Sequence, residues 1–201
     1  MAPRDGRCKV NMKDISLIGF MGCGKSSVGK ILATLLPECR LIDLDTYIEE
    51  KQGKNIPEIF NEYGEAAFRR MEREALEEIF SDKSRPRAIL SLGGGTVTSE
   101  QCRQLIRQHT DCFYLRATTD TLLDNLEGHS DGRPMLNPTQ PVEAQSTETS
   151  SEREALRHRI ESLMQTRSPQ YTATAHHIID IDGLSFTQIA EAVEDNILNI
   201  K

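Results

Sequence analysis

The stretch Ser16–Leu32, SLIGFMGCGKSSVGKIL, decides the fold. An apolar run stops at Gly19, a glycine-punctuated turn follows, and Gly24-Lys25-Ser26 opens a helical pattern. The octet Gly19–Ser26 matches G-x-x-x-x-G-K-[ST] residue for residue. Its glycines permit backbone conformations that aim successive N–H groups inward, and the N-terminus of the following helix adds its positive end. Lys25 supplies a mobile cation for the β- and γ-phosphates of a nucleotide, and the Ser26 hydroxyl can ligate Mg²⁺. The alternative is a glycine-rich turn with a chance lysine. Context weighs against it, because a buried strand precedes the octet and an amphipathic helix follows. The motif leaves the fate of the phosphates open, since GTPases, ATP-driven machines and small-molecule kinases share it.

Outward from this stretch, apolar β-rich runs recur and helical periodicity lies between them. Ile15–Ile18, Leu41–Leu44, Ala88–Leu92, Cys112–Leu115 and His177–Ile181 predict five strands. Val28, Ile31, Leu32 and Leu35 form one helical stripe, and Phe68, Met71, Ala75 and Ile79 another. Alternating strands and helices imply an α/β domain, a parallel sheet covered on both faces. The 201 residues suffice for one well-buried domain, expected over 14–201 after an unstructured lead-in over 1–13, with Met12 as an alternative start. The segment Asn137–Ser151, NPTQPVEAQSTETSS, offers almost nothing to bury and is expected to be mobile.

Composition narrows the setting. No apolar run approaches the roughly 20 residues that span a bilayer, and the N-terminus lacks the apolar stretch of a secretion signal. A net charge of -7 argues against a nucleic-acid role resting on phosphate contacts. The five cysteines are an odd set without metal-like spacing, read as reduced thiols of a cytoplasmic protein.

Several charged residues stand where charge needs a reason. Asp43 and Asp45, in LIDLDTYIEE, read as alternate residues ending the second strand and pointing to one face. The C-terminal edge of a parallel sheet is where ligands bind, so the pair could hold Mg²⁺, directly or through water, and orient a hydroxyl. Capping of the next helix is the alternative for Asp45. In FRRME, Glu72 falls within the apolar stripe, Arg69 borders it, and Arg70 points away. A charge on an apolar face needs a partner, so an Arg69–Glu72 pair is expected, either structural or presenting the guanidinium to an anion.

Arg167 continues the apolar face of Leu156, Ile160, Leu163 and Met164, just before the chain is read as leaving the helix at Ser168-Pro169-Gln170-Tyr171. It either snorkels or reaches into a cleft. Gly93-Gly94-Gly95 follow the third strand as a close-approach backbone or a plain flexible turn. That strand ends in Ser91, where nucleotide-binding sheets usually supply an aspartate. Arg133, in DGRPML, is either a lid arginine that closes over the γ-phosphate or part of a surface turn. Two inward arginines and an aspartate beside a kinase loop point to a small carboxylate that also carries hydroxyls.

Together GFMGCGKSS, LIDLDTYIE, FRRMER, SLGGGTV, GRPML and RSPQY resemble shikimate kinase, over about Ile15 to Ile197. The resemblance implies a five-stranded parallel sheet in 2-3-1-4-5 order, of the nucleoside-monophosphate-kinase type. It also implies a substrate-binding segment over about 43–72 and a lid over about 124–152. The implied reaction moves the γ-phosphate of ATP to the 3-hydroxyl of shikimate, on the way to chorismate. Gly22, Cys23, Gly24, Lys25, Ser26, Ser27 and Arg133 match its nucleotide-binding positions. Asp45, Arg69, Gly93, Gly94, Gly95 and Arg167 match its shikimate-binding positions. Ser26 matches the Mg²⁺ ligand, with Asp43 and Ser91 acting through water. Catalysis would rest on Lys25, Asp45 and Arg133, with Asp45 first orienting the hydroxyl and second accepting its proton. The expected partners are ATP and shikimate, with no nucleic acid and no membrane, for a monomer.

The sequence departs from the family in the length of Asn137–Ser151. It departs also at Asp182-Gly183-Leu184-Ser185, which lacks the arginine many members place near the adenine and leaves mostly backbone contacts there. A gluconate-kinase-like enzyme is the nearest competing reading. A nucleotide-binding regulator without transfer activity is the other, and the intact Lys25, Asp43, Asp45 and Arg133 argue against it.

Overall fold

The computed structural model describes residues 13–126 and 148–199. Strands β1 (Asp14–Ile18), β2 (Arg40–Asp43), β3 (Ala88–Ser91), β4 (Thr110–Arg116) and β5 (His177–Asp180) form one parallel sheet in the order β2-β3-β1-β4-β5. This is the class and order the sequence implied. Alternate residues of each central strand feed opposite faces. Ile15 and Leu17 of β1, with Phe113 and Leu115 of β4, enter one core. Ile18, Cys112 and Tyr114 enter the other. A sheet covered on both sides explains why these strands read as continuous apolar runs.

The first core lies under α1 (Lys25–Leu35), α5 (Thr119–Leu126) and α7 (Phe186–Asn199), with Val28, Leu32, Leu122 and Val193 among its side chains. The second lies under α2 (Leu44–Gln52), α3 (Ile56–Ser81) and α4 (Glu100–His109), and it receives Tyr171 from α6 (Glu148–Thr174). Asn55 starts α3 with a capping box, its side chain accepting from the Glu58 N–H while Glu58 accepts from the Asn55 N–H. Gly64, at φ 76°, bends α3 partway along, so its second part carries the Phe68–Ile79 stripe into the core.

Four expectations need correction. The second strand ends at Asp43 rather than Leu44, because the Asp43 carboxylate accepts from the Thr46 N–H and starts α2 there. In α1 the stripe is cut short: Leu35 is exposed, and Lys25 and Gly29 are buried with Val28 and Leu32. The helix carrying Arg167 does not end there but continues through Pro169 to Thr174. Pro169 and Gln165 both face solvent, so the carbonyl left without its N–H donor is open to water, while buried Tyr171 and Thr174 hold the last turn. Lastly, Glu148–Ser151, the end of the segment expected to be mobile, begins α6. The lead-in over 1–12 and most of the expected lid, Arg133 included, lie outside the described residues.

Candidate active site

The loop after β1 is shaped by its glycines. Gly24 sits at φ 86° directly before α1, and a Cβ there would lie 2.4 Å from the ring of Phe186. Only glycine tolerates both the left-handed backbone and the ring. Lys25 is buried, and its ammonium donates to the carbonyls of Gly19 (2.9 Å) and Phe20 (3.0 Å). Asn125, from α5, donates to the Gly22 carbonyl at 2.9 Å and ties the outer side of the loop to the domain.

Ser26, one residue on, donates to Asp43 Oδ2 at 2.7 Å and stands 3.1 Å from the Ser91 hydroxyl. Strand register explains this trio. Asp43 ends β2 directly beside Ser91, which ends β3, so the carboxylate missing from β3 arrives from its neighbour. The structure thus brings together all three residues assigned to the metal region. They offer hard oxygen donors of the type Mg²⁺ takes. Among the described residues no cluster of three His, Cys, Asp or Glu could hold a metal ion, so an ion here would keep most of its shell from water and phosphate.

Asp45 lies in the first turn of α2, not on a strand. It reaches the same cavity as Asp43, but through helix geometry rather than strand alternation. Arg69 Nη1 meets Glu72 Oε2 at 2.6 Å, and its Nη2 meets Glu65 Oε1 at 2.9 Å. Glu72 is fully buried and also accepts from the Thr96 hydroxyl. The expected pair is therefore present, and it does hold the guanidinium up toward the cavity. Arg70 is exposed, as expected. Arg167 is 3% exposed and makes no ion pair with any described carboxylate; its Nη1 has no hydrogen-bond partner. Its guanidinium lies 5.9 Å from the centre of the Phe20 ring.

The glycine triplet closes in on these charges. A Cβ at Gly93 would lie 2.9 Å from Asp45 Oδ1 and 3.0 Å from Glu72 Oε1, and one at Gly95 would lie 2.2 Å from Arg69 Nη2. The turn is a close approach rather than a loose connection. Gly95→Ala is accordingly expected to push the Arg69 guanidinium aside and raise the acceptor KM roughly tenfold or more, with nucleotide affinity retained. Steady-state kinetics with each substrate varied in turn checks this.

One cavity of about 670 Å³ joins both halves, with Lys25 and Ser26 on one side and Asp45, Arg69, Gly93 to Gly95 and Arg167 on the other. The carboxylates crowd one another. Burial, then the charges of Glu72 and Asp43, push Asp45 up to about 6, with Lys25 opposing. Burial likewise raises Glu72, against the pull of Arg69. Buried Arg167, without a carboxylate partner among the described residues, suits an anionic guest, and Asp45 suits a hydroxyl on the same guest.

Three participants escape sequence reasoning. Thr96 and Asn125 act through hydrogen bonds to residues far away in the chain, and no local pattern marks them. Phe186, a half-exposed ring at the start of α7, lines the cavity against Gly24. The only signal for it is its place just after the turn read as lacking an adenine-side arginine.

Comparison with known proteins sets the chain beside one family. The family model described as shikimate kinase matches residues 21–198. A shikimate kinase of Thermus thermophilus is 34% identical over 183 residues, 91% of this chain and 89% of that one. One of Chlorobaculum tepidum is 40% identical over 157 residues, 78% of this chain and 76% of that one. Among solved structures, shikimate kinase from Acinetobacter baumannii in complex with shikimate is similar with a TM-score of 0.77 and 30% identity, covering 94% of this chain and 96% of that one.

Proposed function

From the premise that the chain belongs to the shikimate kinase family, we propose how its residues perform the transfer. The protein is an ATP-dependent kinase that phosphorylates shikimate. The observation that carries the reading of the site is the single cavity in which Lys25 and Ser26 face Asp45, Arg69 and Arg167.

The phosphate loop holds the donor. The Lys25 ammonium leaves the Gly19 and Phe20 carbonyls for the β- and γ-phosphate oxygens, and the loop N–H groups hold the rest. Arg167 takes the acceptor carboxylate with its unpaired guanidinium edge, and Arg69, held by Glu65 and Glu72, adds its remaining N–H groups and its charge. That contact turns the hydroxyl to be phosphorylated, the 3-hydroxyl in our reading, toward Asp45. Asp45 accepts a hydrogen bond from it, fixes the line of attack, and takes its proton as the new O–P bond forms and the bond from the γ-phosphorus to the β–γ bridging oxygen breaks, releasing ADP. Ser26, with Asp43 and Ser91 through water, would hold Mg²⁺, which when bound neutralises charge on the transferred phosphate. Arg133 completes the phosphate clamp in this reading. The cytoplasm is the proposed location; what supports it is that Cys23, Cys39, Cys102 and Cys112 are free and buried.

The direct test is ADP release by the purified protein with ATP and Mg²⁺, alone or with shikimate, gluconate or a nucleoside monophosphate. Release is expected to rise at least tenfold above the acceptor-free rate with shikimate and to stay near that rate with the others. A rate no faster with shikimate, or faster with gluconate, overturns the reading.

A further inference from the structure

The glycine triplet holds its shape through three carbonyls. Two are fixed within the turn, where Gly93 O accepts from the Thr96 N–H and Gly95 O from the Thr98 N–H at 2.9 Å. The Gly94 carbonyl is fixed from outside, by the hydroxyl of Tyr171, which also shares a hydrogen bond with the Arg167 side chain. Tyr171 is fully buried, does not line the cavity, and stacks on Tyr114 with ring centres 5.0 Å apart. It therefore cannot touch a bound acceptor. It also lies one helical turn after Arg167 on α6, so both side chains project from the same helix face.

A trans peptide points its C=O and N–H in opposite directions. The Gly94 carbonyl and the Gly95 N–H belong to one such unit. With the Gly94 carbonyl held by Tyr171, the Gly95 N–H is fixed on the opposite side of the same peptide, in a turn whose three glycines line the cavity. Without the anchor a glycine–glycine peptide is free to rotate, since neither flanking residue has a side chain to resist it.

We infer that Tyr171 is a positioning residue for the acceptor, holding the Gly94–Gly95 peptide so that the Gly95 N–H meets an acceptor oxygen beside Arg167. This rests on the kinase reading above and adds a role for a side chain that no substrate contacts. One rigid helix then carries both the guanidinium that meets the acceptor carboxylate and the hydroxyl that sets the opposing turn.

Tyr171→Phe removes the hydroxyl and keeps the ring stacked on Tyr114. The expected result is a shikimate KM about fivefold to tenfold higher, the loss of one buried hydrogen bond's alignment. The ATP KM and kcat are expected to stay within about twofold of the parent. Calorimetric titration with shikimate should show the same weakening, and the melting temperature should fall by only a few degrees. An unchanged shikimate KM overturns the inference. A parallel rise in both KM values overturns it too, because that marks a general loss of structure. If the parent protein shows no shikimate-dependent ADP release, the kinase reading fails first and this inference with it.

Discussion

Asp45→Asn is expected to lower kcat by roughly 10²–10⁴-fold, the range spanned by a positioned acid–base group, while ATP still binds. The same variant should be more stable than its parent in the ligand-free, metal-free state. Burial, with Glu72 and Asp43 beside it, pushes the Asp45 carboxyl up to about 6, from 3.8 for the free side chain. A carboxyl raised in this way binds its proton more tightly when folded, so its ionisation opposes folding. The destabilisation is absent below about pH 4, grows as the pH rises, and is complete once it passes about 6. The shift sets an upper limit of about 3 kcal/mol on the gain from asparagine, at about 1.4 kcal/mol per unit. Melting curves between pH 4 and 8 in a chelator, beside activity assays, test both halves. A parent and variant that melt together at pH 7.5 would contradict the account of Asp45 as a charge held against its preference. A variant with near-normal kcat would contradict its catalytic role.

Arg167 makes the second large expectation. It is almost wholly buried, has no carboxylate partner among the described residues, and leaves one guanidinium nitrogen without a hydrogen bond. A desolvated cation in that state waits for its counter-ion from outside. Arg167→Met keeps length and packing but removes the charge, and should cut kcat/KM for shikimate by roughly 10²–10³-fold, as expected for losing one side of a buried charge pair. Folding stability should hold or rise. Arg167→Lys keeps the charge without the fork and should fall between the two. If Arg167→Met melts well below the parent, the guanidinium is a structural group and its role here is wrong.

What could be read from the sequence follows from how locally each feature is encoded. The phosphate loop needs only consecutive residues and the element on either side, so Gly19–Ser26 was legible with its chemistry. The three central strands were legible because both faces of the sheet are buried there; β2 and β5, partly to fully exposed along most of their length, showed themselves only by short runs of leucine and isoleucine. Glu72 was legible as an oddity, a charge on an apolar stripe, and its partner Arg69 lies on the same helix. Asp45 was placed in the right cavity by a strand argument that does not hold, because the cap at Asp43 starts the helix sooner than alternation suggests. Pro169 signalled a helix end that tertiary packing of Tyr171 and Thr174 overrides. The Tyr171–Gly94 bond joins positions 77 residues apart, and no local pattern announces such a meeting. For Arg133 the described residues offer no placement.

The two cores separated by the sheet have a consequence for how such a protein can change. The walls that bind the donor phosphates rest on the packing of α1, α5 and α7, and those that bind the acceptor rest on α2, α3 and the end of α6. Each half of the reaction thus has largely its own foundation, with α6 spanning the two, since Met164 packs against both cores. Variation in the second foundation can reshape the acceptor pocket while the machinery for phosphate stays in register. A single scaffold can in this way move to a new hydroxy acid by altering one side of its sheet.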